Sequence, residues 1–184
     1  MLATHFVYLG RSRQLGTTFS AHVDGANQLK AYCDANWATT RSTTGFFVML
    51  AGAAIACVSR RQHCITMSSC ESELVALADC AIELLHVLSV INFLGHATPD
   101  AVDVYTDSKA AYDLCHRFTT AQNSRHVERK LFKMRELRGA GRVQLKHIPG
   151  ETNPADLFTK ILTRQPFEKH RKFVLNLPGD TGVE

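Results

Sequence analysis

The stretch AYCDANWA, residues 31–38, combines the alternation of a β-strand with an acidic residue near its centre. With a period of two, Tyr32, Asp34 and Asn36 share one face of the strand, and Ala31 lies on the other. The carboxylate of Asp34 therefore falls on a buried face or at its rim, where an unpaired charge is costly. The stretch predicts a strand with a specific partner for Asp34.

Length and composition indicate a single globular domain with tails. The chain has 184 residues, of which 45% are hydrophobic, and its 21 Lys and Arg against 17 Asp and Glu permit a polyanionic partner without demonstrating one. The six cysteines form no CxxC pair, and the N-terminus lacks a secretory pattern, so we expect reduced thiols and an intracellular protein. Four polar residues interrupt the apolar segment 74–94, so we expect no membrane span.

From residue 29 the hydrophobic pattern predicts three strands and then a long helix. The strands come from LKAYCDANWA and STTGFFVMLAGAAIACVSRR, and their short connections favour an antiparallel meander. The helix comes from SSCESELVALADCAIELLHVLSVINFLG. Ser68 and Glu71 stand in capping-box register at its start, and Gly95 is its predicted stop.

The remaining elements complete the order βββαβααβα. They are the strand VDVYTD, the helices SKAAYDLCHR and RHVERKLFKMRELRG, the strand RVQLKHIPG, and a helix in NPADLFTKIL with Asn153 as its N-cap. Each of the last two strands returns through a helical crossover, so we expect both to run parallel to the first. The predicted fold class is α/β: a five-stranded mixed sheet, three antiparallel strands and then two parallel ones, flanked by helices.

Four carboxylates fall where such a sheet gathers ligands, at the carboxyl ends of its parallel strands. Asp34 lies late in the first strand, Asp107 ends the fourth, Asp156 is in the first turn after the fifth, and Glu73 is in the first turn of the long helix. Convergent carboxylates repel unless a cation neutralises them, and Mg²⁺ prefers such oxygen ligands. Two ions about 4 Å apart can activate water and stabilise the leaving oxygen of a phosphodiester.

Six motifs in order carry a family resemblance. YCDANWA, RSTTGFF, SSCESELVAL, VYTDSKAA, RHVERK and HIPGETNPADLFTK together resemble the ribonuclease H domain at the C-terminus of copia-type retrotransposon polyproteins. The resemblance implies a ribonuclease H-like domain at residues 29–163. Residues 1–28 resemble the end of the reverse transcriptase connection, with room for one short strand, and 164–184 are expected to form a C-terminal tail.

The resemblance also implies an activity. It is that of a metal-dependent endonuclease that hydrolyses the RNA strand of RNA–DNA hybrids during reverse transcription, with two Mg²⁺ ions and Mn²⁺ as a substitute. Asp34 and Asp107 would bridge the ions, Glu73 would hold the one nearer the leaving group, and Asp156 would complete the nucleophile side. The expected partners are the hybrid and the reverse transcriptase portion of the same polyprotein, without a membrane. The expected location is a cytoplasmic virus-like particle or the nucleus.

Several assignments have competitors. Glu71 competes with Glu73, because both are placed in one helical turn and periodicity does not separate them; the register of SEL favours Glu73. Asp107 could be an ordinary turn residue, and Asp156 a helix N-terminal acid favoured by the dipole.

Two residues depart from the patterns of related enzymes. Copia-type domains usually carry an aspartate where this chain has Asn36, so the change is either a surface one or a loss of metal affinity. His147 lies upstream of the position where many ribonucleases H carry a histidine. We expect it to pack on its neighbours rather than to shuttle protons.

Hybrid binding requires contacts with phosphates and with the 2′-hydroxyl. Arg125, Arg129 and Lys133 recur every four residues on one helical face, and Ser108 and Lys109 directly follow Asp107. These five residues are the candidates for nucleic-acid binding. A solvated helix face explains the first three equally well.

Two other functions are open to a domain of this kind. A degenerate ribonuclease H could serve as a scaffold or nucleic-acid clamp beside a polymerase, although the presence of all four acids argues against it. An integrase core shares the metal chemistry but carries its glutamate after both aspartates, whereas here Glu73 precedes Asp107. A magnesium-dependent cleavage assay separates these functions.

Overall fold

The computed structural model describes residues 2–20, 29–117 and 125–177. Part of the predicted connector (21–28) and part of the predicted tail (178–184) lie outside the described residues. The domain boundaries therefore stay a prediction.

The elements follow the predicted order from the first strand to the fifth. The chain forms α1 (Leu2–Ser12), β1 (Lys30–Asn36), β2 (Thr43–Leu50), β3 (Ala53–Arg61), α2 (Ser69–Phe93), β4 (Val102–Thr106), α3 (Lys109–His116), α4 (Arg125–Gly139), β5 (Val143–His147), 3₁₀ helices at Gly150–Thr152 and Pro154–Phe158, and α5 (Arg164–Leu175).

The five strands form one mixed sheet in the order β3-β2-β1-β4-β5. β1 pairs antiparallel with β2, and β2 with β3, whereas β4 runs parallel to both β1 and β5. The predicted α/β fold class is confirmed. β1 is the central strand, with the antiparallel strand β2 on one side and the parallel strand β4 on the other. Asp34 lies near the carboxyl end of β1.

Two apolar clusters hold the layers together. On one face, α2 buries Leu74, Leu77 and Leu84 in the same cluster as Phe46 of β2 and Val104 of β4. Full burial of each such side chain stabilises the fold by about 1.5–3 kcal/mol. A second cluster gathers Phe47, Met49, Ala155 and Val174, which attaches α5 and the Pro154–Phe158 helix to the rest of the protein.

The ends of α2 follow from local chemistry. The Ser68 side chain accepts a hydrogen bond from the Glu71 amide at 3.2 Å, as the capping pattern predicts. After Phe93 the chain passes through Leu94 to Gly95, whose φ of +80° suits a residue without Cβ. Because the helix begins at Ser69, Glu71 is in its first turn and Glu73 follows in the next, not in the first turn as predicted.

The composition of α2 does not by itself exclude a membrane span, although polar residues interrupt it. Its 25 residues are long and apolar enough to cross a bilayer. The core helix of a soluble protein has the same properties, and half of the most apolar window of α2 is buried inside the protein. The absence of a membrane partner stays a prediction.

Three segments differ from the predicted secondary structure. Residues 2–12 form α1 where room was left for a strand. The motif NPADLFTKIL forms a 3₁₀ helix over Pro154–Phe158 instead of an α-helix, although Asn153 caps it as predicted by accepting from the Ala155 amide. Residues 164–175, placed in the C-terminal tail, form α5, which buries His170 and Val174.

Candidate metal centre

Three carboxylates from three elements converge at the carboxyl end of β1. Asp34 belongs to β1, Glu73 to α2, and Asp107 directly follows β4. Each offers one oxygen, and these three oxygens all lie within 4.8 Å of one another. The parallel pairing of β1 with β4 brings the two aspartates together, and α2, packed across β1, adds the glutamate.

Asp34 is the most buried of these acids, with 1% of its surface exposed. Its Oδ2 accepts a hydrogen bond from the Thr159 hydroxyl, and its Oδ1 lies 3.3 Å from the Lys160 ammonium. The acid within the apolar strand therefore has partners in the protein itself. Thr159 and Lys160 lie 125 and 126 residues after Asp34 in the chain.

The structure separates Glu73 from Glu71 by their contacts. The Glu71 carboxylate accepts from the Met67 amide at 2.8 Å, so it caps the entrance to α2. The Glu73 carboxylate instead faces Asp34 and Asp107. Its Oε2 is buried and accepts no hydrogen bond within the described residues. A buried carboxylate oxygen needs a partner, and a cation held by the neighbouring acids would supply one.

Asp156 lies at the edge of the same centre. It is in the first turn of the Pro154–Phe158 helix, and its Oδ1 accepts from the Lys160 ammonium at 2.6 Å. Its charge interacts with those of Asp34 and Asp107. The three-residue cluster does not include it, and the Lys160 ammonium bridges Asp156 to Asp34.

Burial and mutual repulsion disfavour the charged forms of these acids. Burial, and then the charges of Asp34 and Asp107, raise the pKa of Glu73 to about 9. Burial and the Asp34 charge raise the pKa of Asp107 above its ordinary value. Burial also raises the pKa of Asp156, against the hydrogen bond from Lys160. The cluster therefore carries less negative charge than its composition suggests until a cation enters.

The donor set suits a hard divalent cation. Asp34, Glu73 and Asp107 offer carboxylate oxygens alone, without a sulfur or imidazole ligand, and Mg²⁺ and Mn²⁺ favour such oxygens. The orphaned Oε2 of Glu73 supports the same fit. The cluster could thus bind a metal ion.

Two neighbours approach Asp107 closely. The His147 Nε2 lies 3.2 Å from the Asp107 carbonyl oxygen, and its ring makes an edge contact with Tyr112. A Cβ at Gly150 would stand 3.2 Å from Asp107 Oδ2, so the backbone of the Gly150–Thr152 turn passes directly beside the carboxylate. The packing expected for His147 agrees with these contacts.

The side chain of Asn36 contributes to the local structure. Its Nδ2 donates to the Thr159 carbonyl oxygen at 3.2 Å. It therefore helps to hold the residue that bonds Asp34. An aspartate at this position would present an acceptor to that carbonyl and lose the bond.

The candidates for nucleic-acid binding lie on two helices. Ser108 caps α3, since its Oγ accepts from the Ala111 amide at 3.2 Å. Lys109 pairs with Asp113 at 3.1 Å and lies over the Tyr112 ring. These two residues therefore already have structural roles beside Asp107.

On α4, Arg125 and Arg129 are exposed, whereas Lys133 pairs with Glu136 at 3.0 Å. All three lie on the outer side of a helix whose inner side packs on the sheet and α2. Phosphate contact through this side stays a prediction.

Sequence reasoning did not identify Gly45, Thr159 and Lys160 as part of the centre. Gly45 is the cross-strand partner of Asp34, and Lys160 pairs with two of the acids. The sequence offered one signal, the four-residue spacing of Asp156 and Lys160, which is also typical of an ordinary helical ion pair.

The chain is similar to parts of retrotransposon polyproteins. It is 29% identical over 150 residues, 79% of its length, to the retrovirus-related Pol polyprotein from transposon TNT 1-94 of Nicotiana tabacum. It is 28% identical over 173 residues to the corresponding polyprotein from transposon RE2 of Arabidopsis thaliana. The chain spans 11% of the length of each of these relatives. No model of a known protein family matches it.

Solved structures show the same fold. Ribonuclease H1 from Halobacterium salinarum NRC-1 superposes with a TM-score of 0.52 at 18% identity, covering 72% of this chain and 94% of that one. The N-terminal ribonuclease H domain of a Mycobacterium tuberculosis protein, solved as a fusion with maltose binding protein, gives 0.53 at 13% identity, covering 79% and 97%. The fold is thus ribonuclease H-like. The chain is similar to a region of the retrovirus-related Pol polyproteins from transposons TNT 1-94, RE2 and RE1.

Proposed function

We propose that this domain is a ribonuclease H that hydrolyses the RNA strand of RNA–DNA hybrids during retrotransposon reverse transcription. The observation that carries the proposal is the convergence of Asp34, Glu73 and Asp107, with oxygens within 4.8 Å of one another, in a ribonuclease H-like fold. We further propose that the domain acts beside the reverse transcriptase portion of its polyprotein, in a cytoplasmic virus-like particle or the nucleus.

The proposed roles follow from the surroundings of each residue. Asp34, Glu73 and Asp107 would hold divalent cations, with Asp156 at the edge of the centre. When bound, Mg²⁺ supplies activation of water and stabilisation of the leaving oxygen. Asp34 is buried and Glu73 is partly buried, which restricts the conformations that these side chains can adopt as ligands.

Substrate selection would come from the shape of the duplex. An RNA–DNA hybrid offers phosphates on both strands and 2′-hydroxyls on only one, and proteins use the 2′-hydroxyl to distinguish RNA from DNA. Arg125 and Arg129 are exposed on α4 and available for phosphates. Hydrolysis should therefore fall on RNA that is paired with DNA.

The deciding experiment measures initial rates on an end-labelled RNA–DNA hybrid in Mg²⁺. Duplex RNA, duplex DNA and single-stranded RNA of the same sequence are the controls, and the Asp34→Asn protein controls for contaminating nucleases. Cleavage confined to the RNA of the hybrid supports the proposal. Ca²⁺ should support little turnover, since its looser coordination shell does not fix the reacting groups in line.

Two outcomes would overturn the ribonuclease H assignment. Equal cutting of duplex DNA is one. Tight binding of the hybrid without cleavage in either Mg²⁺ or Mn²⁺ is the other, and it would favour a scaffold or nucleic-acid clamp.

A further inference from the structure

The ammonium of Lys160 lies inside the carboxylate centre. Its Nζ is 2.6 Å from Asp156 Oδ1 and 3.3 Å from Asp34 Oδ1. The side chain of Lys160 keeps 38% of its exposure, while those of Asp34 and Asp156 keep 1% and 14%. One cation therefore bridges the most buried acid of the centre and the acid at its edge.

The backbone around Lys160 is held firmly to the sheet. The Ser59 hydroxyl of β3 donates to the Phe158 carbonyl oxygen at 2.6 Å, and Asn36 Nδ2 of β1 donates to the Thr159 carbonyl oxygen. The Thr159 hydroxyl in turn donates to Asp34. Three strand residues thus fix the two residues before Lys160, so its backbone is held beside the centre, and the side chain reaches the carboxylates of Asp34 and Asp156 from there.

The two sides of the centre differ in how they are neutralised. Between Asp34 and Asp156 the Lys160 ammonium already satisfies one oxygen of each. Toward Glu73 and Asp107 the described residues place no cation within ion-pair distance of either carboxylate, and Glu73 Oε2 has no hydrogen-bond partner among them. A divalent ion can therefore bind beside Glu73 and Asp107 without displacing a cation, but between Asp34 and Asp156 it must compete with Lys160.

We propose that Lys160 is a resident counter-cation that positions Asp34 and Asp156 and occupies the place of a second divalent ion between them. The centre then binds one ion at Asp34, Glu73 and Asp107, and a further ion binds weakly because it has to displace the ammonium from Asp156. This inference rests on the proposed function in assigning these carboxylates as metal ligands. Lys160 acts through Asp34 and Asp156, so it is a positioning residue.

The test is manganese binding, measured by titration calorimetry and by the paramagnetic resonance signal of free Mn²⁺. In the unaltered chain we expect one Mn²⁺ to bind clearly before any other. Removing a positive charge at ion-pair distance should tighten the second binding event in Lys160→Met by at least about tenfold. Lys160→Gln keeps a hydrogen-bond donor for Asp156 and should tighten the second binding event in the same way. It replaces Lys160→Met in the test if the methionine variant folds poorly.

Two matched variants separate this effect from a general change in charge. Lys160→Arg keeps the cation and should bind manganese like the unaltered chain. Lys172→Met removes one positive charge from the exposed surface of α5 and should also leave both binding events unchanged. If Lys160 only supported the fold, Lys160→Met and Lys160→Gln would weaken all manganese binding instead of tightening the second binding event.

The inference is overturned if the second Mn²⁺ binds equally in the unaltered chain and in both neutral variants, or if none of them binds manganese. Failure of this inference can be distinguished from failure of the proposed function. If manganese binding changes in the Lys160 variants but the protein does not cleave the hybrid, the proposed nuclease function is wrong and the role of Lys160 as a counter-cation is supported. If the protein cleaves the hybrid but its manganese binding does not change in the Lys160 variants, the nuclease function is supported and the role of Lys160 is wrong.

Discussion

Gly45 and Thr159 are in direct contact: a Cβ at position 45 would stand 2.5 Å from Thr159 Cγ2. It would also stand 2.7 Å from the Phe158 Cβ. Gly45 is the cross-strand partner of Asp34, so the missing side chain opens the place in which Thr159 reaches that carboxylate. Any larger residue must move the segment that positions Lys160 against the metal centre.

The first prediction concerns Gly45→Ala. Because β2 is buried and Thr159 is bonded to Asp34, the clash cannot relax without breaking contacts. We expect a loss of about 1–3 kcal/mol in the free energy of unfolding. Hybrid cleavage should fall further than the stability loss explains, since Asp34 loses a positioning partner. Denaturant unfolding and initial rates on the hybrid measure the two effects.

Gly139→Ala is the matched control for this substitution. A Cβ at Gly139, the last residue of α4, would meet nothing within 4 Å. The alanine should leave cleavage unchanged and keep or raise the free energy of unfolding, by up to about 1 kcal/mol. Equal behaviour of the two alanine variants would mean that Gly45 is not needed for the Thr159 contact.

The second prediction is that Asp34→Asn abolishes cleavage while the fold survives. Loss of a central ligand should lower the rate by at least about 100-fold, because the reacting groups are no longer held in place. The variant loses the Lys160 pair but relieves the repulsion that Asp34 exerts on Glu73 and Asp107. Its stability without metal should therefore be equal or higher, as measured by thermal unfolding in a chelator.

Asp103→Asn on β4 is the control for this variant. Asp103 accepts from the Tyr105 hydroxyl at 3.3 Å and lies outside the acid cluster. Its amide variant should cleave the hybrid at the normal rate. Marked unfolding of Asp34→Asn would show that Asp34 has a structural role instead of a metal-binding one.

The third prediction concerns pH. The pKa of Glu73 rises from 4.5 to about 9 on folding, through burial and then the charges of Asp34 and Asp107. Between these values the folded protein holds a proton that the unfolded chain has released. The free energy of unfolding without metal should therefore fall as pH rises through this window. The raised pKa values of Asp107 and Asp156 act in the same direction.

Glu73→Gln isolates the contribution of Glu73. The amide keeps the shape of the protonated acid but does not titrate, so the fall in stability between pH 5 and 9 should become shallower. Chelated protein unfolded by denaturant across that range provides the measurement. Parallel pH profiles for the variant and the unaltered chain would show that Glu73 is ionised at neutral pH in the folded protein.

Much of the sheet could be predicted because its signals are local. The alternation around Asp34 and the change to helical spacing at Ser68 are each contained in a few consecutive residues, and the crossovers before β4 and β5 follow from the helices that lie between consecutive strands. The register of SEL favoured Glu73 over Glu71, and the structure brings Glu73 to Asp34 and Asp107. Periodicity could not have made that choice, because it depends on where α2 starts relative to β1.

The rest of the centre depends on contacts between distant parts of the chain. The Thr159 hydroxyl donates to Asp34, which lies 125 residues earlier in the chain, and no pattern within either segment predicts this contact. The Pro154–Phe158 helix has five residues, too few to distinguish a period of 3.0 from 3.6. The four-residue spacing of Asp156 and Lys160 is typical of an ordinary helical ion pair, whereas tertiary packing brings the lysine to the acid centre.

The fourth prediction tests the outer side of α4 through salt dependence. Arg125 and Arg129 are exposed, and each phosphate contact releases condensed counterions, so replacing both by alanine should weaken hybrid binding. The slope of log affinity against log salt should fall by about 1 for each phosphate that is no longer neutralised. Binding is measured in the Asp34→Asn background to prevent cleavage. Arg164→Ala, which removes an exposed α5 arginine paired with Glu168, should leave the slope unchanged. An unaltered slope in the double variant would identify this side of α4 as a solvated surface.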